Sequence, residues 1–119
     1  MLDPNVRAIL ERAKAQGRPA MNTLPIDEAR KTSSENNANA QLEAEAVRRV
    51  RDVRIPGPHG EIPLRIFEPD VEGPRPAVVY YHGGGWVLCD LQTHHEICCA
   101  IARRAGAVVV AVQPLLKRG

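Results

Sequence analysis

At 119 residues, with 44% hydrophobic and 25% charged side chains, the chain is long enough for one soluble domain with a modest core and needs no second. A net charge of +2, carried by dispersed basic residues without interleaved aromatics, gives no nucleic-acid-binding surface. The longest apolar run, residues 105–112, is far short of the roughly 20 residues that a bilayer crossing needs, so no membrane span is expected.

The amino terminus has no basic segment followed by an apolar one, so no secretory signal is read and the cytoplasm is the expected compartment. Cys89, Cys98 and Cys99 leave an odd thiol, and sequence neighbours bridge each other only with strain, so reduced thiols are expected. Asp3 before Pro4 is an N-cap with proline at the first helical position. Val6, Ile9, Leu10 and Ala13 then recur at helical spacing, which predicts a helix over residues 4–16 that stops at Gly17. Its apolar stripe is narrow, as on a helix lying at the surface of a larger body. A second, short helix is predicted from Thr23, with Pro25 early and Asp27 and Glu28 in the first turn, where acids suit the helix dipole.

Residues 31–40, Lys-Thr-Ser-Ser-Glu-Asn-Asn-Ala-Asn-Ala, have almost nothing to bury and read as a polar linker or mobile loop. The expected division is therefore residues 1–40, helices and linker, and residues 41–119, the core. Residues 41–49 are predicted to be briefly helical and 50–55 extended, followed by a turn on the proline and glycine of residues 56–60. Ile62, Leu64 and Ile66 alternate with Pro63 and Arg65, which predicts a strand pairing back as a hairpin with one wet face. Pro63 places that hairpin near a sheet edge.

The chain is organised around residues 77–86, Ala-Val-Val-Tyr-Tyr-His-Gly-Gly-Gly-Trp. A β-branched and aromatic run without polar alternation reads as a strand covered on both faces of an α/β sheet, and it stops in three glycines between His82 and Trp86. Ligand sites in such sheets lie beyond the carboxyl ends of strands. Thr93 and Glu96 have capping-box spacing. Ile97, Ala100, Ile101 and Ala105 supply a helical face ending at Gly106, and residues 107–112 form another continuous apolar strand. Strand, helix and strand in this order make a crossover with two parallel strands.

A strand ending in His-Gly-Gly-Gly before such a crossover resembles the α/β-hydrolase fold and, within it, the hormone-sensitive-lipase-like esterases. Residues 55–58 and 62–66 with Pro69 look like the family's opening hairpin. Thr93-His94 fits its first crossover helix, and residues 25–30 are similar to its N-terminal segment, which supplies helices to a cap. The resemblance implies a carboxylic ester hydrolase acting on a small acyl ester without a cofactor. It makes the N–H groups of Gly83 and Gly84 the oxyanion-hole donors, Gly85 the turn, His82 a side-chain anchor and Trp86 one wall of the substrate pocket. Fixed donors of this kind contribute roughly 3 kcal/mol each to the transition state. The bland alternative is three glycines that merely make a sharp turn.

The remaining machinery is missing. Ser33 and Ser34 are the only serines and neither is flanked by the glycines of a nucleophile elbow. The expected motif Asp-Tyr-Arg-Leu-Ala-Pro-Glu is replaced by residues 113–119, Gln-Pro-Leu-Leu-Lys-Arg-Gly, an abrupt switch that points to a frameshift or a premature end. The sequence thus reads as the N-terminal part of an α/β-hydrolase, inactive as it stands. A non-catalytic binding module on the same fold is the second reading. Truncation would leave one edge of the strand at residues 77–81 bare, so self-association through it is expected. His94 with Cys98 and His95 with Cys99 are i, i+4 pairs pointing about 100° apart, so no metal site is expected. Phosphate binding at Gly83–Gly85 lacks both G-x-G-x-x-G and a P-loop lysine.

Overall fold

The computed structural model describes residues 2–17, 19–40 and 42–114; of the departure at residues 113–119, residues 115–119 lie outside the described residues. Helix α1 (Pro4–Ala15) begins where cap chemistry puts it, with Asp3 Oδ1 accepting the Asn5 N–H at 2.8 Å. None of its residues is buried; Ile9 is 66% and Leu10 47% exposed, as befits a stripe with nothing on it. A single 3₁₀ turn at Met21–Thr23 leads to α2 (Ile26–Ala40).

The linker expected over residues 31–40 is instead the continuation of α2. No glycine or proline occurs between Pro25 and Pro56. Ala29 and Ser33, one turn apart, are both buried, so the helix has a packed face that polar composition concealed. Asn37 Nδ2 also donates to the Ser33 carbonyl at 2.9 Å. Residues 42–47, expected to be helical, have no regular structure because their backbone is bound sideways along the next helix. Glu96 accepts the Leu42 N–H at 2.6 Å, Arg103 donates to the Ala46 carbonyl at 3.2 Å, and Arg104 pairs with Glu45.

Strands β1 (Arg49–Gly57) and β2 (Gly60–Glu68) form the expected hairpin, in register from Arg49 opposite Glu68 to Gly57 opposite Gly60 around a Pro58-His59 turn. With β3 (Ala77–Tyr81), α3 (His95–Ala105) and β4 (Val108–Val112), they build one sheet of order β1-β2-β4-β3. The β3–β4 pair is parallel, as the crossover requires, and β2–β4 is antiparallel. The hairpin does sit at an edge. Pro63 itself is on the inner strand, one residue beyond the β2–β4 register, with its carbonyl accepting the Gln113 N–H at 2.9 Å.

The core lies between α3 and one sheet face: Phe67, Val109 and Ala111 against Cys98, Cys99 and Ala102. The expected helix face is therefore rotated. Ile97 is 46% exposed, and the buried stripe runs through the two cysteines, which act as small hydrophobes. Burial raises the Cys98 thiol to about 11, so it stays protonated. Strand β3 is not covered on both faces as expected, for Val79 is 59% and Tyr81 68% exposed. Its inward side chains meet α3, while among the described residues no helix lies over the other face. A radius of gyration of 17.0 Å, against about 13.5 Å for a compact chain of this length, agrees with a body packed on one side.

The capping box expected at Thr93 and Glu96 is also displaced. Thr93 N–H and Gln92 N–H donate to Asp90 Oδ1 at 2.8 and 2.9 Å, and Asp90 N–H donates back to Thr93 Oγ1 at 2.9 Å. The reciprocal pair is thus Asp90 with Thr93, one turn earlier, and Glu96 is engaged by Leu42 instead. Asp90→Ala is expected to destabilise the protein by about 1 kcal/mol in denaturant melts. Glu96→Ala should leave the turn at residues 90–94 intact, as read by its amide exchange.

Candidate functional site

The apolar β3 ends at Tyr81, and from Gly84 onward the loop takes up a backbone that glycine adopts most readily. Gly84 has φ +124° and Gly85 +60°, followed by Trp86 at +59° and Cys89 at +69°. The two non-glycine residues each cost of order 1 kcal/mol, a strain that something must hold in place. Gly84 supplies the hold. Its carbonyl accepts the N–H groups of Val87 at 3.1 Å and Leu88 at 2.9 Å, and a Cβ on Gly84 would lie 2.1 Å from the Leu88 oxygen. Val87 O in turn accepts Arg30 Nε of α2 at 2.8 Å.

Gly83 differs from its neighbours. Its φ is not positive, and an added Cβ would meet nothing within 4 Å. Among the described residues neither the Gly83 nor the Gly84 N–H donates to a backbone carbonyl. A cavity of about 400 Å³ opens here, lined by Tyr81, His82, Gly83, Gly85, Trp86 and Pro114. It lies at the carboxyl end of β3, where the parallel pair presents its strand ends. Tyr81 and Pro114 were not singled out in the sequence; the strand's alternation, which turns Tyr81 outward, was the signal available.

His82 Nδ1 is 2.7 Å from the Gly83 carbonyl, an arrangement that needs the proton on Nδ1. Nε2 is buried with no hydrogen-bond partner among the described residues, and the ring stacks on His94 at 5.5 Å. His94 also faces Tyr80 at 6.0 Å, and its Nδ1 lies 3.1 Å from Thr93 Oγ1. Burial, and then the His82 ring, push its pKa below the ordinary value, against Asp90. His95 belongs to a separate network on the sheet. Arg65 donates to Asp52 at 2.7 and 2.9 Å, to Gln92 at 3.0 Å, and to His95 Nδ1 at 3.3 Å, so that nitrogen is the acceptor and the imidazole is neutral. Burial, then Arg65, lowers the His95 pKa. Among the described residues no three metal-ligating side chains converge, and Ser33 and Ser34 sit on α2, away from the cavity lining.

A family model of the alpha/beta hydrolase fold matches residues 78–113, which span β3, the glycine loop, α3 and β4. The chain is 48% identical over 63 residues to the carboxylic ester hydrolase LipN of Mycobacterium tuberculosis, covering 53% of this chain and 17% of that protein. It is 32% identical to an ethyl acetate hydrolase of Pseudomonas putida over 93% of this chain and 37% of that one. A solved esterase of Pyrobaculum calidifontis superposes with a TM-score of 0.84 at 34% identity, over 98% of this chain and 36% of its own. The chain belongs to the α/β-hydrolase fold family of esterases. It spans less than two fifths of the length of each of these relatives. Its four strands and α3 correspond to the N-terminal part of the hydrolase sheet, and no helix of the described residues is long and apolar enough to cross a membrane.

Both imidazoles make stability depend on pH. A histidine whose folded pKa lies below its unfolded value of 6.5 contributes stability that is complete above pH 6.5 and lost as the pH falls through the folded value. The melting temperature is therefore expected to fall between pH 7 and pH 5, before Asp52, which Arg65 holds below its ordinary carboxylate range, begins to protonate. The double variant His94→Gln, His95→Gln should flatten that slope in thermal melts; an unchanged slope would assign it to other groups.

Proposed function

We propose that this chain forms the oxyanion-binding half of a carboxylic ester hydrolase, with the Gly83 and Gly84 N–H groups directed at the carbonyl oxygen of a small acyl ester. The observation that carries this is the contrast among the glycines. Gly84 and Gly85 are demanded by the turn, whereas Gly83 has no backbone or packing need to lack a side chain. A bare position on a cavity wall, with an N–H that no backbone carbonyl of the described residues takes, suits the close approach of a ligand oxygen. His82 anchors the loop through Gly83 O, and Trp86 forms the cavity wall. The relative that hydrolyses ethyl acetate makes short esters the reasonable class, and a cavity of about 400 Å³ suits them.

Among the described residues no serine lines this site, so on this reading the chain binds and polarises an ester without turning it over. Strand β3, at the sheet edge with Val79 and Tyr81 exposed, is the surface through which copies would associate. Three unpaired cysteines suit a reducing compartment such as the cytoplasm.

Butylphosphonate, a tetrahedral oxyanion, titrated into ¹⁵N-labelled protein is expected to shift the Gly83 and Gly84 amides. Gly83→Ala should keep the fold and weaken that binding at least about tenfold, while Gly84→Ala should destabilise the protein by about 1–3 kcal/mol through the clash with Leu88. Absence of shifts at both amides would remove the oxyanion reading. Ethyl acetate turnover that survives replacement of Ser33 and Ser34 would contradict catalytic incompleteness and the non-catalytic binding alternative alike.

A further inference from the structure

We propose that Arg30 on α2 is the positioning residue that holds the glycine loop in its donor-presenting shape, an inference that rests on the oxyanion reading of Gly83 and Gly84. The link is short. Arg30 Nε donates to the Val87 carbonyl at 2.8 Å across 57 residues of sequence. Val87 and Leu88 give their N–H groups to the Gly84 carbonyl, and the Gly84 N–H is separated from that carbonyl by only the two backbone dihedrals of one residue. A shift at Val87 is thus passed to the donor through two hydrogen bonds.

The guanidinium is well suited to this. Its planar Nε–H is aimed by the side chain instead of rotating like an ammonium. The side chain is 30% exposed and lies on a helix whose neighbouring positions Ala29 and Ser33 are buried, so the stem is held. The contact with Asp27 at 3.7 Å is weaker, since that carboxylate is 99% exposed. The loop needs an external tie because Trp86 and Cys89 sit at positive φ without being glycine. A helix N-terminal to the sheet would in this way set the geometry of the site from outside it. The dependence also runs in reverse, for movement of α2 would loosen the donors without any change in the sheet.

Two ligand-free readouts test this in the full chain: amide exchange at Val87 and Leu88, and the fluorescence anisotropy of Trp86, the sole tryptophan. Arg30→Ala is expected to speed exchange at both amides about tenfold and to lower the anisotropy. Arg30→Lys should recover part of each. Ala29→Gly, which weakens α2 but keeps the guanidinium, should leave both near wild type. Arg30→Gln replaces the alanine variant if that one does not fold, with the same expected outcome. Wild-type exchange without the guanidinium, or an Ala29→Gly effect equal to that of its removal, overturns the proposal. Neither readout involves phosphonate, so a loop that loosens without Arg30 yet binds no oxyanion overturns the functional reading alone.

Discussion

The 2.1 Å that would separate a Cβ on Gly84 from the Leu88 oxygen is the constraint on which the site depends. It lets the Gly84 carbonyl sit over two following N–H groups, closing the chain into a turn directly after β3. A strand that simply ran into a helix would leave its last peptide groups in the sheet ladder. This turn takes them out of it, and the cavity forms where the chain departs. Every other feature of the site, from the His82 contact to the exposed ring of Trp86, is arranged around that departure.

The sheet beneath is assembled with small side chains at the point of closest approach. Cys98, Cys99 and Ala102 allow α3 to lie against Phe67 and Val109, and the crossover thereby brings β3 and β4 into parallel register from Ala77 to Tyr81. The register fixes where β3 ends relative to β4, and so brings Pro114 into the cavity lining with Gly83. Asp90 and Thr93 close the turn between the loop and α3, so the glycine loop is bounded by a strand on one side and a hydrogen-bonded cap on the other. Arg65 ties the hairpin to the same region through Gln92 and His95. Buried apolar contact sets the layers, and polar contacts set the loop.

Polar side chains repeatedly did something other than their local spacing suggested, because tertiary contacts were available to them. Glu96, expected to cap its own helix, accepts the Leu42 N–H from 54 residues away. Ser33, in a segment read as a solvated linker, is buried on α2. Gln113, which stands where the family motif has an acid, accepts the Leu91 N–H at 3.1 Å and steadies the start of the α3 turn. For Glu96 a hydrogen bond formed across the fold outweighed a local preference of at most about 1 kcal/mol.

The sequence by itself determined the hairpin, the crossover, the cap at Asp3, the αL stop at Gly106 and the glycine turn after Tyr81. These rest on local rules, namely periodicity, turn chemistry and the steric freedom of glycine, which act over a few residues and can be read in order along the chain. It also carried the His-Gly-Gly-Gly resemblance that led to the esterase family. Only the tertiary structure decided that residues 31–40 are helical, that α3 buries its cysteines and not Ile97, that β3 is exposed on one face, and that Gly83 alone among the three glycines has no structural reason to be one. The physical reason is common to all four. Burial and hydrogen bonding depend on which surfaces meet, and those surfaces belong to segments far apart in the chain.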